Sequence, residues 1–375
     1  MRLLVSPGPF SGALSAAQVA AAVRRGWLRT APDSDVRVLP MSDGAAGLLD
    51  AVHTARGGRL VSVTARGPLG DPVPATLLHV PGTAGGTAYL EAGQVLGRQL
   101  TPPGQELTHA ERGTSAGLGE LLLAARDLGA GRLVVGLGDS APHDGGAGLV
   151  RVLAGVGDDA DIDAATLAAA HRVLDGSEVV VAAATQVPLL GLHGAGALLG
   201  ERIGPAEAQR LDTRAGELAA RLERLGRELP TRTALLPLPG GHGHGSSTRP
   251  GRADGTGAGG GAAYALSVLG ARLLPGPDVV AAAIGLTDAV AEADVVLTGT
   301  SVLDAPAVDA SVVATVGQAA MALGLPVVVL AEEVHTSRRE VARSGISATY
   351  ETGRGDLTAL EAWAERLART WARGA

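Results

Sequence analysis

The sequence predicts an α/β fold of two domains with mainly parallel sheets. Three observations carry that prediction. Short apolar runs rich in Val and Leu alternate with segments whose apolar residues recur at helical spacing. Leu118, Leu121, Leu122, Ala125 and Leu128 share one helical face and feed an apolar strand at 133–135. Such a crossover unit implies parallel strands with helices on the sheet faces. The third observation is size: 375 residues, 46% of them hydrophobic, are enough for two domains with sizeable cores.

Taken in order, the first strand is read at Arg2 to Val5. Ser15 and Gln18 then form a capping-box pattern, and Val19, Ala22, Val23, Gly26 and Trp27 follow at helical spacing. Val36 to Leu39 reads as the next strand. Leu60 to Val63 and Leu77 to Val80 read as further short strands, with Gly67-Pro-Leu-Gly70 turning between them. Val179 to Ala184 is a buried-type strand, and Ala206 to Arg227 is a long helix with charges of both signs. Residues 239–261, PGGHGHGSSTRPGRADGTGAGGG, read as a low-complexity loop, mobile at its centre. Val295 to Leu297 and Val327 to Leu330 read as strands. The chain closes on an amphipathic helix with Leu357, Leu360, Trp363, Ala364, Leu367 and Trp371 inward, its two tryptophans serving as core anchors.

Composition excludes several classes. A mean hydropathy of +0.23 marks a globular chain. No apolar run is long enough for a membrane span, and MRLLVSPGPF is too soon broken by proline for a signal peptide. There is no cysteine, hence no disulfide framework or thiolate chemistry. A net charge of −7 without a basic run argues against nucleic acid. A soluble cytoplasmic protein is expected. The chain also lacks lysine and asparagine, so all 31 basic residues are arginine. Phosphate here must be neutralised by Arg, backbone N–H groups or a metal.

The most informative stretch is LVVGLGDSAPHDGGAGL, residues 133–149. An apolar strand breaks into glycines, then Asp139 and Ser140, then Asp144 against Gly145, Gly146 and Gly148. Such a strand end puts a carboxylate on a loop whose backbone approaches a ligand closely, with N–H groups available to phosphate or carboxylate oxygens. The bland alternative is a plain glycine-rich strand-to-helix turn.

The longer pattern resembles the type I glycerate kinases, which transfer phosphate from ATP to D-glycerate. Gly136, Gly138, Ser140, Ala141, Asp144, Gly145, Gly146, Ala147 and Gly148 match the family's GIGGSATNDGGAG. Phe10-Ser-Gly-Ala-Leu-Ser-Ala16 is similar to its FKGSLSA, Met41-Ser-Asp-Gly44 to its MADG, and Pro188-Leu-Leu-Gly191 to its NPLLG. GTGAGGG at 255–261 is similar to GAGAAGG, and Thr298-Gly299 with Leu303-Asp304 to TGEGRLD. The resemblance implies two α/β domains, one discontinuous over 1–65 and 285–375, the other inserted over 66–284 and carrying the Gly-rich motifs.

It also implies phosphoryl transfer with ATP and Mg2+, to glycerate or a related small hydroxy acid. That chemistry needs carboxylates for magnesium, donors for phosphate oxygens and a group near the attacking hydroxyl. The catalytic candidates are Asp43, Asp144, Asp304 and His143, with Asp144 the magnesium ligand. His143, beside Asp144, is a candidate for proton exchange near neutral pH, against a solvated loop histidine. Gly44, Ser140, Gly145, Gly146, Gly255, Gly257 and Gly259 are the substrate- and nucleotide-binding candidates. Each aspartate also has a plain reading as an Asx-turn or helix cap. The expected partner is a small-molecule substrate, with no nucleic acid or membrane and with a homodimer left open.

The chain departs from the family where polar groups matter. In the opening PDSFKG, Gly8, Pro9 and Ser11 replace Asp, Ser and Lys; in MADGGEG, Ala46 replaces Glu; His143 replaces the Asn of the central motif. Ala184 and Val187 replace the Asp and Asn of DVxNPLLG, and Thr300, Val302 and Pro306 replace Glu, Arg and Gln of GEGRLDGQT. A further lysine falls at about Ser311. These losses predict weak activity and raise a second reading, a catalytically inactive paralogue that binds a small molecule or a protein. His242 and His244 form an H-x-H pair without a third clustered ligand, so metal binding there is not expected.

Overall fold

The computed structural model describes residues 1–11, 14–230, 250–305, 307 and 310–372. The chain divides into two compact units, Met1–Gly57 with Pro277–Ala375, and Gly58–Gly276.

The first unit is a five-stranded sheet. It contains β1 (Arg2–Val5), β2 (Asp35–Val38), β9 (Val295–Leu303), β10 (Val327–Val334) and β11 (Ala348–Glu351) in the order β11-β10-β9-β1-β2, every pair parallel. The order reverses across β1: the chain passes to β2 on one side and through β9, β10 and β11 on the other. Ligands of open α/β sheets bind at such a switch point, beyond the carboxyl ends of the strands.

The capping box that starts helix Ala16–Thr30 is present in both directions. The Ser15 amide donates to Gln18 Oε1 at 2.9 Å, and the Gln18 amide donates to Ser15 Oγ at 3.3 Å. That helix buries Val19, Ala22, Val23, Gly26 and Trp27. Gly26 is there for contact, since a Cβ would stand 2.1 Å from the Glu361 carbonyl oxygen of helix Leu357–Trp371. On the closing helix Leu360, Ala364 and Leu367 are fully buried, while Trp363 and Trp371 are only partly so. The Arg366 guanidinium lies 4.8 Å over the Trp363 ring.

The second unit is a six-stranded sheet, ordered β3-β4-β5-β6-β7-β8. Its strands are β3 (Arg59–Arg66), β4 (Pro72–Val80), β5 (Thr87–Glu91), β6 (Arg132–Leu137), β7 (Glu178–Ala183) and β8 (Arg272–Pro275). β5 to β8 are parallel, but β3, β4 and β5 pair antiparallel. The turn at 67–70 makes a hairpin: the Gly67 amide donates to the Asp71 carbonyl at 2.7 Å and the Gly70 amide to the Gly67 carbonyl at 3.0 Å. Leu118, Leu121, Leu122, Leu133, Val135, Val181 and Leu266 meet in this unit's core. Long helix Pro205–Gly226 carries proline at its first turn, where no amide bond is lost.

Two expectations change. β5 is not among the expected strands. The described part of the 239–261 segment is not an open loop but two short 3-10 turns, Pro250–Arg252 and Ala258–Gly261, the second fully buried. His242 and His244 lie outside the described residues.

Candidate functional site

Each unit carries a loop cluster beyond the carboxyl ends of its parallel strands. In the second, β6 leads into the Gly-rich turn, and the Asp144 carboxylate organises it. Oδ2 accepts from the Ser115 amide at 2.8 Å, the Ser115 hydroxyl at 2.8 Å and the Gly148 amide at 3.0 Å; Oδ1 accepts from the Gly146 amide at 3.0 Å. The Ser115 hydroxyl in turn accepts the Leu149 amide at 2.9 Å. Three donors crowd Oδ2 and one meets Oδ1, so Oδ1 keeps one acceptor direction open. Through Oδ2 the carboxylate holds the turn, and only Oδ1 has capacity left for a further partner.

The turn's amides are similarly engaged. Ala141 donates to the Leu96 carbonyl at 2.8 Å, His143 to Ala110 at 3.2 Å and Gly145 to Gly260 at 2.9 Å, while the Ser140 amide donates to Asp139 Oδ1 at 2.9 Å. Gly257 donates to Val187 at 3.0 Å and Gly259 to Gly138 at 2.9 Å. The second glycine cluster is thus the packing partner of the first. Gly260, at φ 62°, shows why glycine is required: a Cβ would stand 2.0 Å from the Pro142 carbonyl oxygen. The amides of Ser140, Gly145, Gly146, Gly257 and Gly259 are committed inside the unit and form no phosphate cradle in this conformation. Gly255, at φ 80°, starts the same cluster.

His143 is buried, 4% exposed, and its Nε2 has no hydrogen-bond partner. This corrects the solvated-loop reading. Burial pushes its pKa down to about 4, with the Asp144 charge pulling the other way. The imidazole is neutral near pH 7.

Next to the turn two arginines meet one aspartate. Asp139 receives Arg98 at 2.6 Å on Oδ2 and faces Arg202 at 3.5 Å on Oδ1. Arg98 and Arg202 also line a pocket of about 200 Å³ with Thr101, Glu106, Ala141 and Leu199. These arginines are not among the sequence-derived candidates. Only the missing lysines point toward arginine.

In the first unit Asp43 and Asp304 both follow strands at the carboxyl edge, after β2 and β9. Asp43 accepts the Ala45 amide at 2.9 Å and Asp304 the Ala307 amide at 2.9 Å, so each begins a local turn and keeps acceptor capacity. Burial raises the Asp43 pKa, against the hydrogen bond from Ala45. Gly44, at φ 100°, donates its amide to Ser42 Oγ at 3.1 Å. At the position aligned with a family lysine, the Ser11 amide donates to Glu332 Oε2 at 3.0 Å. Glu332 is buried near the end of β10, a carboxylate that sequence reading passes over inside an apolar strand. Ser311, near the other lost lysine, caps helix Val312–Met321 through the Val313 and Ala314 amides.

Magnesium binds one or two carboxylates together with substrate phosphates, keeping several waters. Among the described residues no three His, Cys, Asp or Glu side chains group as a metal site. The donor set of the described residues thus fits no all-protein metal cage; Asp43 and Asp304, each taking one side-chain hydrogen bond, have more acceptor capacity to spare than Asp144. Among the described residues, no helix is long and apolar enough to cross a membrane.

A family model, described as the glycerate kinase family, matches residues 3–373. The glycerate kinase of Bacillus subtilis (strain 168) is 31% identical over 99% of this chain and 96% of its own length. An uncharacterised protein of Mycobacterium bovis is 34% identical over 93% of this chain and 83% of its own. Among solved structures, one assigned to glycerate kinase 2 of Salmonella typhimurium LT2 superposes with a TM-score of 0.77 at 27% identity. It covers 100% of this chain and 99% of that one.

Proposed function

The chain belongs to the glycerate kinase family, and on that premise we propose that it transfers a phosphoryl group from ATP to glycerate or a related small hydroxy acid in the cytoplasm. The observation that carries the reading is the end-to-end family match, over residues 3–373. The retained strand-end loops support it, since Asp43, Asp144 and Asp304 all sit beyond parallel strands, where α/β sheets collect ligands.

The proposed division of labour follows from what each side chain has left to offer. Asp43 and Asp304, with spare acceptors, are the carboxylates that would hold Mg2+, which supplies charge neutralisation to the phosphates when bound. Asp144 fixes the Gly-rich turn. Arginine is the only cationic side chain that offsets phosphoryl charge in a chain without lysine. Turnover is expected to be slow, because the polar positions at Gly8, Ser11, Ala184, Thr300 and Val302 no longer carry the family's groups. Losing one acid–base group costs about 10²–10⁴ in rate.

A second reading, ligand binding without turnover, is favoured by one observation: the amides and the carboxylate of the Gly-rich turn are already engaged by protein partners. A coupled ADP-release assay with D-glycerate decides between the two, with Asp43→Asn as the control that keeps side-chain volume. Slow, glycerate-dependent ADP release that Asp43→Asn abolishes at unchanged melting temperature supports the kinase. Glycerate binding without ADP release supports the binding protein.

A further inference from the structure

We propose that the pocket between Arg98 and Arg202 holds the carboxylate of the small hydroxy acid, and that Asp139 competes with it for the same two guanidiniums. The inference rests on the hydroxy-acid reading above and assigns that substrate a location.

Three observations converge. Two guanidiniums from separate segments, Arg98 after β5 and Arg202 on helix Ala195–Ile203, point at one carboxylate in the loop that follows β6. Guanidinium forks suit carboxylates, offering five donors each in a fixed plane. Asp139 does not satisfy both: Arg98 donates at 2.6 Å, but Arg202 stands off at 3.5 Å, although its side chain is the more buried at 24% exposure against 56%. Arg202 therefore has donors left for a second carboxylate beside Ala141.

Pocket size is compatible with a small acid. About 200 Å³ is the space of roughly seven waters at ~30 Å³ each, which suits a three-carbon hydroxy acid. The remaining lining supplies groups for hydroxyls. Glu106 is an acceptor whose Oε1 takes the Gly104 amide at 3.2 Å, and Thr101 carries a hydroxyl 3.1 Å from His109 Nδ1.

The test is calorimetric titration of the full chain with D-glycerate, glycerol and inorganic phosphate. D-glycerate is expected to bind and glycerol not to. Arg202→Met, which keeps the apolar stem, is expected to weaken D-glycerate at least tenfold, the usual worth of a charged hydrogen bond. Asp139→Asn is expected to tighten it about threefold by removing the competing charge, an outcome that a purely structural role for Asp139 does not produce. Arg98→Met serves the same purpose should Arg202→Met fail to fold. The proposal is overturned by unchanged D-glycerate affinity in these arginine variants, by weaker binding in Asp139→Asn, by binding of phosphate but not D-glycerate, or by binding of neither. ADP release combined with Arg202-independent D-glycerate binding removes the pocket and leaves the kinase. Arg202-dependent binding without ADP release does the reverse.

Discussion

At neutral pH the His143 imidazole is neutral, because a protonated ring there would lose its hydration and gain no hydrogen-bond acceptor at Nε2. The unfolded chain holds this ring at its ordinary pKa of 6.5, whereas the folded chain holds it at about 4. Between those values the unfolded state binds the extra proton, so stability falls as pH drops from 6.5 toward 4 and levels off above 6.5. His143→Gln removes the titration. Urea unfolding midpoints measured from pH 7.5 to 4.5 are expected to fall less steeply in the variant, and parallel curves would contradict the assignment. At this scale the sequence marks Asp144 and its glycines as a strand-to-helix turn, and the structure shows that turn. It does not reveal what the carboxylate touches, since Ser115 is far away in the chain and reaches Asp144 only through packing. The burial of His143 is hidden for the same reason: nothing in a Gly-rich string says that another glycine cluster covers it.

Elements are legible where one periodicity rules. Helix Ala16–Thr30 declares itself through its capping box and its buried stripe, and apolar β1, β6 and β7 through continuous runs of Leu and Val. The hairpin of β3 and β4 reads in the sequence as two short strands. Its outer stretches alternate exposed and partly buried residues, so their apolar signal is weak. Short β5, TAYLE, follows a glycine-rich run that masks it. The 250–261 segment misleads because glycine serves flexibility and close packing alike. A matched pair of substitutions separates those uses. Gly260 and Gly155 have similar φ, 62° and 70°, but a Cβ at Gly260 meets the Pro142 carbonyl at 2.0 Å, while one at Gly155 meets nothing within 4 Å. Gly155→Ala is expected to cost about 1 kcal/mol, the left-handed strain alone. Gly260→Ala must also push the two glycine clusters apart, and is expected to cost about 3 kcal/mol or more. Chemical denaturation of both variants checks this, and equal losses would place the whole effect in backbone strain.

At the scale of the molecule, the α/β class is legible because alternating apolar strands and amphipathic helices run through both chain ends and the middle. The antiparallel strands of the second sheet are not, because strand direction is decided by connections rather than by residue type. The two units each have a core of their own. One gathers Leu3, Val5, Val23, Trp27, Leu297 and Leu330, the other Leu77, Leu90, Leu133, Val181 and Leu266. The second unit is one unbroken stretch of chain, Gly58–Gly276, whereas the first needs both chain ends. That stretch begins with β3 and ends with β8, the two edge strands of its sheet, so every strand pairing of the six-stranded sheet lies inside it. Its stability therefore requires no strand from outside, and its length is that of an ordinary independent domain. A fragment spanning 58–276 is expected to unfold cooperatively in urea, with coincident transitions by far-ultraviolet circular dichroism and by tyrosine fluorescence, since its aromatic residues are Tyr89 and Tyr264. The complementary fragment, residues 1–57 alone, contains β1 and β2 but lacks β9, the neighbour that completes β1 on its other side. It is expected to stay unfolded. A folded 1–57 segment, or a 58–276 fragment without a cooperative transition, would show that the strand pairings do not define the units that fold.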